Sequence, residues 1–303
     1  MHTVHFDEDA DIVDIRYDKA FKAVFTRDTP RTRQALSGLL SACIGRGLSV
    51  VSIAANEPPA DSPRDRHIRY DIACRFERGE LADVEMTLCP EPDEASREEY
   101  YAARLFISQD IRGSFADYRD LKSVYQINIL ANGIRYKDKD IVHSFSYHDP
   151  KHNLSFNGRT HIITVELEKA EETAREKPVE KMTPAESWAV FLRYHTEKKK
   201  RALVNEILQA KEDIAMAAEN ILEFTEKENE WFYNESRLKY ELDRQSERVV
   251  AFKQGREEAL IETAQKMKNA GLPLAQIREF TGLSAEEIDE NKASREHGPS
   301  KET

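Results

Sequence analysis

Asp71 and Glu85 are the residues from which a chemical role can be argued, because each lies in a segment whose polarity alternates. In RHIRYDIACRF the apolar Ile68, Tyr70, Ile72, Cys74 and Phe76 alternate with Arg69, Asp71, Ala73 and Arg75. In LADVEMTL, Ala82, Val84, Met86 and Leu88 alternate with Asp83, Glu85 and Thr87. That period belongs to strands with one core face and one polar face. Between them Glu77-Arg78-Gly79 makes a three-residue loop whose glycine can take the left-handed conformation of a type I turn with a G1 bulge. Closing the loop there sets Phe76 opposite Glu80 and so Asp71 opposite Glu85. A slip of one residue would send the two apolar sets to opposite sides of the sheet.

Carboxylates directly opposite have Cβ atoms about 4.5–5.5 Å apart and repel unless something bridges them. A hard divalent cation does so. Mg²⁺ takes one or two carboxylates plus water and phosphate oxygens, generates a hydroxide nucleophile and stabilises the charge of a phosphate under attack. The residues by themselves equally allow a solvated acidic strand face paired with Arg69 or Arg75.

The elements around this hairpin read as mixed α/β over 14–170: helical YDKAFKAVF and ALSGLLSACIG, strand-like LSVVSIAANE before the hairpin, a helix around REEYYAARLFISQDI, then the strand SVYQINILA. Residues 1–13 form an N-terminal tail. The charged stretch 171–182, within KAEETAREKPVEKMTP with its two prolines, is expected as a linker. Long helices are expected over 183–255. Within them Ile207, Ile214, Ile221, Leu242 and Val249 recur every seven residues, interrupted by Glu228 and Glu235. A second row, offset by three, runs Ala210, Ala217, Phe224, Trp231, Leu238, Gln245 and Phe252. This fits a coiled-coil seam joining two chains through 207–252, or an amphipathic helix packed on its own core.

A small helical segment with helix-turn-helix spacing is expected over 256–292, with a helix ended by Gly271 and a third helix capped by Ser284. A DNA-reading third helix would place its first residues in the major groove, and here these are Glu286, Glu287, Asp289 and Glu290, which argues for packing or protein binding. The tail 293–303 is polar and expected to be disordered.

Composition limits the alternatives. The chain has 303 residues, 33% of them charged, and a formal net charge of −11, which excludes a nonspecific DNA coat because that affinity comes from Lys and Arg. A local basic surface would be needed, and Arg16, Lys19, Lys22, Arg27, Arg31 and Arg33 form one candidate. No apolar run is long enough to span a bilayer and the first residues are acidic, so a cytoplasmic protein is expected. Cys43, Cys74 and Cys89 lack metal-ligand spacing and are expected as reduced thiols. His148-Asp149 with His152 has metal-like spacing in a turn-rich loop, where a surface role is the plainer reading. There is no Gly-rich phosphate loop, HExxH or nucleophile elbow, and no organic cofactor is expected.

The Asp71 strand followed by Glu85-Met86-Thr87 resembles the D…ExK signature of PD-(D/E)xK nucleases. It is similar in particular to the Rpn family of recombination-promoting nucleases and transposases. YDKAFKAVF resembles that family's opening D-x-x-F-K helix, RYDIACRFERGELADVEM its hairpin, and YYAARLFISQDIRGSFADYRDLKSVYQINIL its Tyr-rich helix and final core strand. HSFSY and HIITVELEKA resemble the strands and E-L-x-K that close the family's core, and TGLSAEEI resembles its ending.

The resemblance implies a restriction-endonuclease-like core, a mixed β-sheet flanked by helices, followed by a long α-helical C-terminal region. It implies metal-dependent hydrolysis of DNA with Mg²⁺ or Mn²⁺. Asp71 and Glu85 would be metal ligands, the Met86 carbonyl a third, with Asp18 completing the acidic site and Gln109 facing it from the Tyr-rich helix. Thr87 departs from the pattern, which has Lys or Gln there. Thr can hydrogen-bond a water but brings no positive charge to the transition state. Lys22, one helical turn after Asp18, is the first candidate to supply that charge, and Lys122 the second. Otherwise the fold persists as a catalytically impaired DNA-binding or protein-interaction module.

Overall fold

The computed structural model describes residues 4–53, 70–88, 94–109, 117–232, 234 and 259–283. The chain divides into two compact units, Met1–Tyr233 and Asn234–Thr303. The first is built on six strands: β1 (Val50–Ile53), β2 (Ile72–Phe76), β3 (Leu81–Thr87), β4 (Val124–Leu130), β5 (Val142–Phe145) and, after a short hairpin of β6 (His148–Asp149) and β7 (Leu154–Ser155), β8 (Thr160–Glu166). The sheet order is β1-β2-β3-β4-β8-β5. β3, β4 and β8 run parallel, while the β1–β2, β2–β3 and β5–β8 pairs are antiparallel.

The hairpin follows from its turn. Gly79 has φ +83°, and the Phe76 and Gly79 N–H groups donate to Glu80 and Phe76 carbonyls at 2.9 Å. This is the left-handed position that only glycine takes at no steric cost. Pairing then runs Arg75 with Leu81, Cys74 with Ala82, Ala73 with Asp83 and Ile72 with Val84. The parallel step from β3 to β4 needs a crossover, and helix α3 (Glu94–Ile107) lies within it, packed on β3, β4 and β8.

The two faces of the sheet differ. Ile72, Cys74, Phe76, Ala82, Val84, Met86, Ile127, Ile129, Ile163 and Val165 form one continuous core with helices α1 (Asp18–Thr26) and α2 (Pro30–Ile44) and with the helices that follow β8. Among the described residues the opposite face carries a small apolar cluster, in which Tyr70, Ala73, Leu81 and Val124 meet Leu105 of α3.

The stretch expected as a linker is folded. Helix α4 (Ala170–Glu176) packs on α5 (Pro184–Tyr194), and Val179 and Met182 are buried. The prolines start elements instead of separating them: Pro184 is the first residue of α5, behind a Thr183–Glu186 capping box.

The expected continuous helix is broken as well. It becomes α6 (Arg201–Ala210) and α7 (Glu212–Leu222), split where Lys211 is extended at φ −127° and ψ 101°, with a further break before the helical residues 226–232. Ile207, Ile214, Ala217, Ile221 and Phe224 all face the unit's own core. Of the two readings of the heptad, these five residues take the intramolecular one, while Ala210 and Trp231 are exposed. Residues 235–252 lie outside the described residues.

The second unit is described over 259–283. It contains a helix at Leu274–Thr281, ended by Gly282, and a cluster of Ala264, Ile277 and Leu283. The expected third helix and the tail lie outside the described residues. Among the described residues no helix is long and apolar enough to cross a membrane.

Candidate metal centre

Asp71 directly precedes β2, and the register brings it to Glu85. Its N–H donates to Glu85 Oε1 at 2.9 Å, and its own Oδ2 accepts the Met86 N–H at 3.1 Å. The N–H and C=O of one extended residue lie on the same strand edge, so the Met86 carbonyl also faces the Asp71 side. From α1, Lys22 Nζ stands 2.9 Å from Asp71 Oδ1 and 2.7 Å from Asp18 Oδ1. The spacing of four residues on one helix sets Asp18 and Lys22 on the same face. From α3, Arg97 approaches Glu85 Oε2 at 3.5 Å and lies over the Tyr101 ring.

A third carboxylate belongs to this face. Asp83 is two residues before Glu85 on β3 and fully buried, while Asp71 and Glu85 are 8% and 6% exposed. Neither Asp83 oxygen makes a hydrogen bond of good geometry, although Gln126 and Glu85 lie close enough to offset part of its burial. Gln126 and Asn128 are the β4 partners of Asp83 and Glu85, and Thr164 is the β8 partner of Asn128. Gln126 Oε1, Asn128 Nδ2, Thr164 Oγ1 and the Tyr70 hydroxyl likewise have no hydrogen-bond partner among the described residues. Each such atom costs about 1–3 kcal/mol when left unmade.

The electrostatics follow from this crowding. Burial, reinforced by Asp18, pushes the Asp71 carboxyl up. Burial, with Asp83 and Asp71 beside it, pushes Glu85 up. Burial and Asp71 do the same to Asp83. Burial opposes the charge of Lys22, but Asp71 and Asp18 outweigh it and hold the ammonium above its ordinary pKa. Hard oxygen donors, like charges in contact and polar atoms without partners are what a divalent cation and its waters satisfy, so the donor set fits the ion. Among the described residues no group of three His, Cys, Asp or Glu is already arranged as a metal cage. The facing pair leaves the remaining positions to water and phosphate, which suits Mg²⁺.

The other expected residues fall in different places. Thr87 ends β3 on the face of Glu85, at the position where the signature carries its cation. Gln109 does not face the acids: its side chain accepts the Lys122 N–H at 2.8 Å and donates to the Lys122 carbonyl at 3.0 Å. That lock sits beside Ser123, whose carbonyl bonds Leu81 N–H at the start of β3, four residues from Glu85. The same placement removes Lys122 from the site.

The N-terminal basic residues are engaged internally. Arg16 pairs with Asp14, Arg27 with Glu228, Arg31 with Glu219 and Arg33 with Asp28, and Lys19 lies over Trp231. His152 binds Asp149 and His148 binds Asn153, so that trio forms local turn contacts. Cys43 and Cys74 are buried, which pushes both thiols up and makes them unreactive.

Sequence reasoning missed Asp83, Arg97 and the polar pair Gln126 and Asn128. The signal for Asp83 was its parity with Glu85, and for Gln126 and Asn128 their alternation inside an otherwise apolar strand.

A mixed sheet with parallel central strands, a hairpin bearing facing acids and a lysine delivered from the opening helix define a nuclease core of the PD-(D/E)XK class. The sequence matches the family described as PD-(D/E)XK nuclease family transposase over residues 15–250, and the chain belongs to that family. No curated protein and no solved structure matches it.

Proposed function

We propose that the chain is a metal-dependent DNA endonuclease of the Rpn type, acting in recombination or on mobile DNA. The observation that carries this reading is the facing of Asp71 and Glu85 across one strand pairing, with Lys22 between Asp71 and Asp18. Asp71, Glu85 and the Met86 carbonyl would hold Mg²⁺ or Mn²⁺, which when bound supplies an activated water and neutralises phosphate charge.

The chain's own residues do the rest. Lys22 brings to the site's mouth the cation that Thr87 lacks, since a catalytic group is defined by geometry and not by its place in the motif. Asp18 holds the ammonium, Arg97 steers Glu85, and the Thr87 hydroxyl can orient a water.

Plasmid DNA incubated with the purified chain and Mg²⁺ or Mn²⁺ tests this. Nicking by the wild type that disappears in both Asp71→Ala and Glu85→Ala is the expected result. The second reading, an impaired nuclease fold that binds DNA or protein, is favoured by Thr87. DNA binding without nicking would establish it, and a gain of nicking in Thr87→Lys or Thr87→Gln would locate the impairment at that residue.

A further inference from the structure

The acidic face of the sheet does not stop at the carboxylates. Strand register carries it across in one row, from Glu85 to Asn128, Thr164 and His143, and in the next from Asp83 to Gln126, Ile162 and Phe145. At about 4.8 Å per strand, the edge strand β5 stands three spacings, or roughly 14 Å, from Glu85.

There the surface changes character. Phe145 is 42%, Tyr147 55% and Phe156 71% exposed. The last two rings meet edge to face at 6.1 Å, and their backbones are tied by the Phe156 N–H donating to the Tyr147 carbonyl. Gly158 leaves room for the Tyr147 ring, since a Cβ there would come within 2.5 Å of it. Phe145 is backed by Tyr136 at 5.4 Å, so these rings are held in place.

Charge separates this hairpin from the rest of the molecule. The chain carries −11, yet residues 141–161 contain one acid, Asp149, against Lys151, Arg159 and four of the nine histidines. Asp149 is taken by His152. Lys151 and Arg159 are exposed and have no ion pair among the described residues, unlike the N-terminal arginines.

We propose that the hairpin 145–159 is a stacking platform for single-stranded DNA flanking the cleavage site, a reading that rests on the nuclease function above. Bases lie on Phe145, Tyr147 and Phe156, and Lys151 and Arg159 meet phosphates. Exposed aromatics on a sheet with cations beside them take unpaired bases, whose faces a duplex hides.

The test measures binding by fluorescence anisotropy with labelled oligothymidylate and with a duplex of equal length, in EDTA, using the full chain. Tyr147→Ala with Phe156→Ala should weaken single-strand binding roughly tenfold or more while moving duplex binding under about threefold. The thermal transition of this exposed pair of substitutions should stay in place. In a separate variant, Tyr147→Trp, emission should be quenched when oligothymidylate is added.

No single-strand binding by the wild type, or unchanged affinity in the double variant, would overturn the platform. So would a dimer, seen by light scattering, that the double variant dissociates while DNA affinity holds; the patch would then face a second copy. Plasmid nicking separates the two proposals. Single-strand binding lost with the aromatics in a chain that never nicks sinks the nuclease reading alone, and intact nicking with unchanged oligonucleotide affinity sinks the platform alone.

Discussion

Glu166 and Glu85 are buried on the same face of one sheet, at 0% and 6% exposure, and differ in what reaches them. Glu166 Oε1 accepts the Arg135 and Tyr136 N–H groups, and Oε2 lies 2.8 Å from Lys169 Nζ. Lys169 in turn holds Asp138 and the Asp140 carbonyl, while Arg135 reaches on to Glu98 at 2.9 Å. This acid meets two N–H donors at one oxygen and an ammonium at the other, and ties the loop after β4 to the end of β8. Glu85 has one N–H from Asp71 and a distant arginine, with two further acids beside it. A buried acid with backbone donors and a cation of its own fixes structure. One that is short of donors is costly until a ligand arrives, and such sites are where function is expected to override stability.

Removing each acid sharpens this contrast. Glu166→Ala removes the buried one of Lys169's two carboxylate partners and the acceptor of two backbone N–H groups, and should cost about 3–5 kcal/mol of stability, read by denaturant unfolding. An unchanged midpoint would break the comparison on its structural side. Glu85→Gln should instead cut metal-dependent nicking at least about 100-fold while the transition temperature holds or rises, because a carboxyl that resists ionisation becomes a neutral amide. A clear fall in transition temperature would place Glu85 with Glu166. Asp83→Asn should raise stability by roughly 1 kcal/mol, or about 2–4 °C in a chain of this size.

The pH dependence separates the regions with opposite signs. The site carboxyls have folded pKa values above their unfolded ones, so the folded chain binds the extra protons and stability falls as pH rises above about 4. His195 is the reverse case. It is fully buried, accepts the Ile15 N–H at 3.0 Å and donates to the Leu192 carbonyl, and burial drives its pKa down to about 4 despite nearby Asp14. Its contribution is complete above about pH 6.5 and is lost as pH falls through 4.

Above pH 7 the acids slope first, joined toward pH 9 by the buried Cys43 and Cys74 thiols, whose folded pKa values also lie above their unfolded ones. In EDTA the transition temperature should therefore decline from pH 7 to 9, and Glu85→Gln should flatten the decline. Mn²⁺ should raise the transition more at pH 8 than at pH 6, by an amount corresponding to about 2.7 kcal/mol at a hundred times its dissociation constant. Equal shifts at both pH values would mean that the ion does not replace protons on these carboxyls.

The sequence by itself determined what is local. The Gly79 turn fixed the hairpin register, and register alone brought Asp71 to Glu85, because a side-chain period of two leaves no other pairing that keeps both apolar faces together. Helical spacing likewise set Lys22 beside Asp18. Tertiary structure decided which polar residues are out of water and what meets them over long separations. Asp83 reads as a solvated strand position until α3 closes over it, and Arg97 reaches Glu85 only because a crossover returns that helix to the sheet. The heptad of Ile207, Ile214 and Ile221 fits a second chain as well as its own core, and the break at Lys211, which folds α7 against α2, chose the core. Periodicity states that a face must be buried, but only the packed chain states against what.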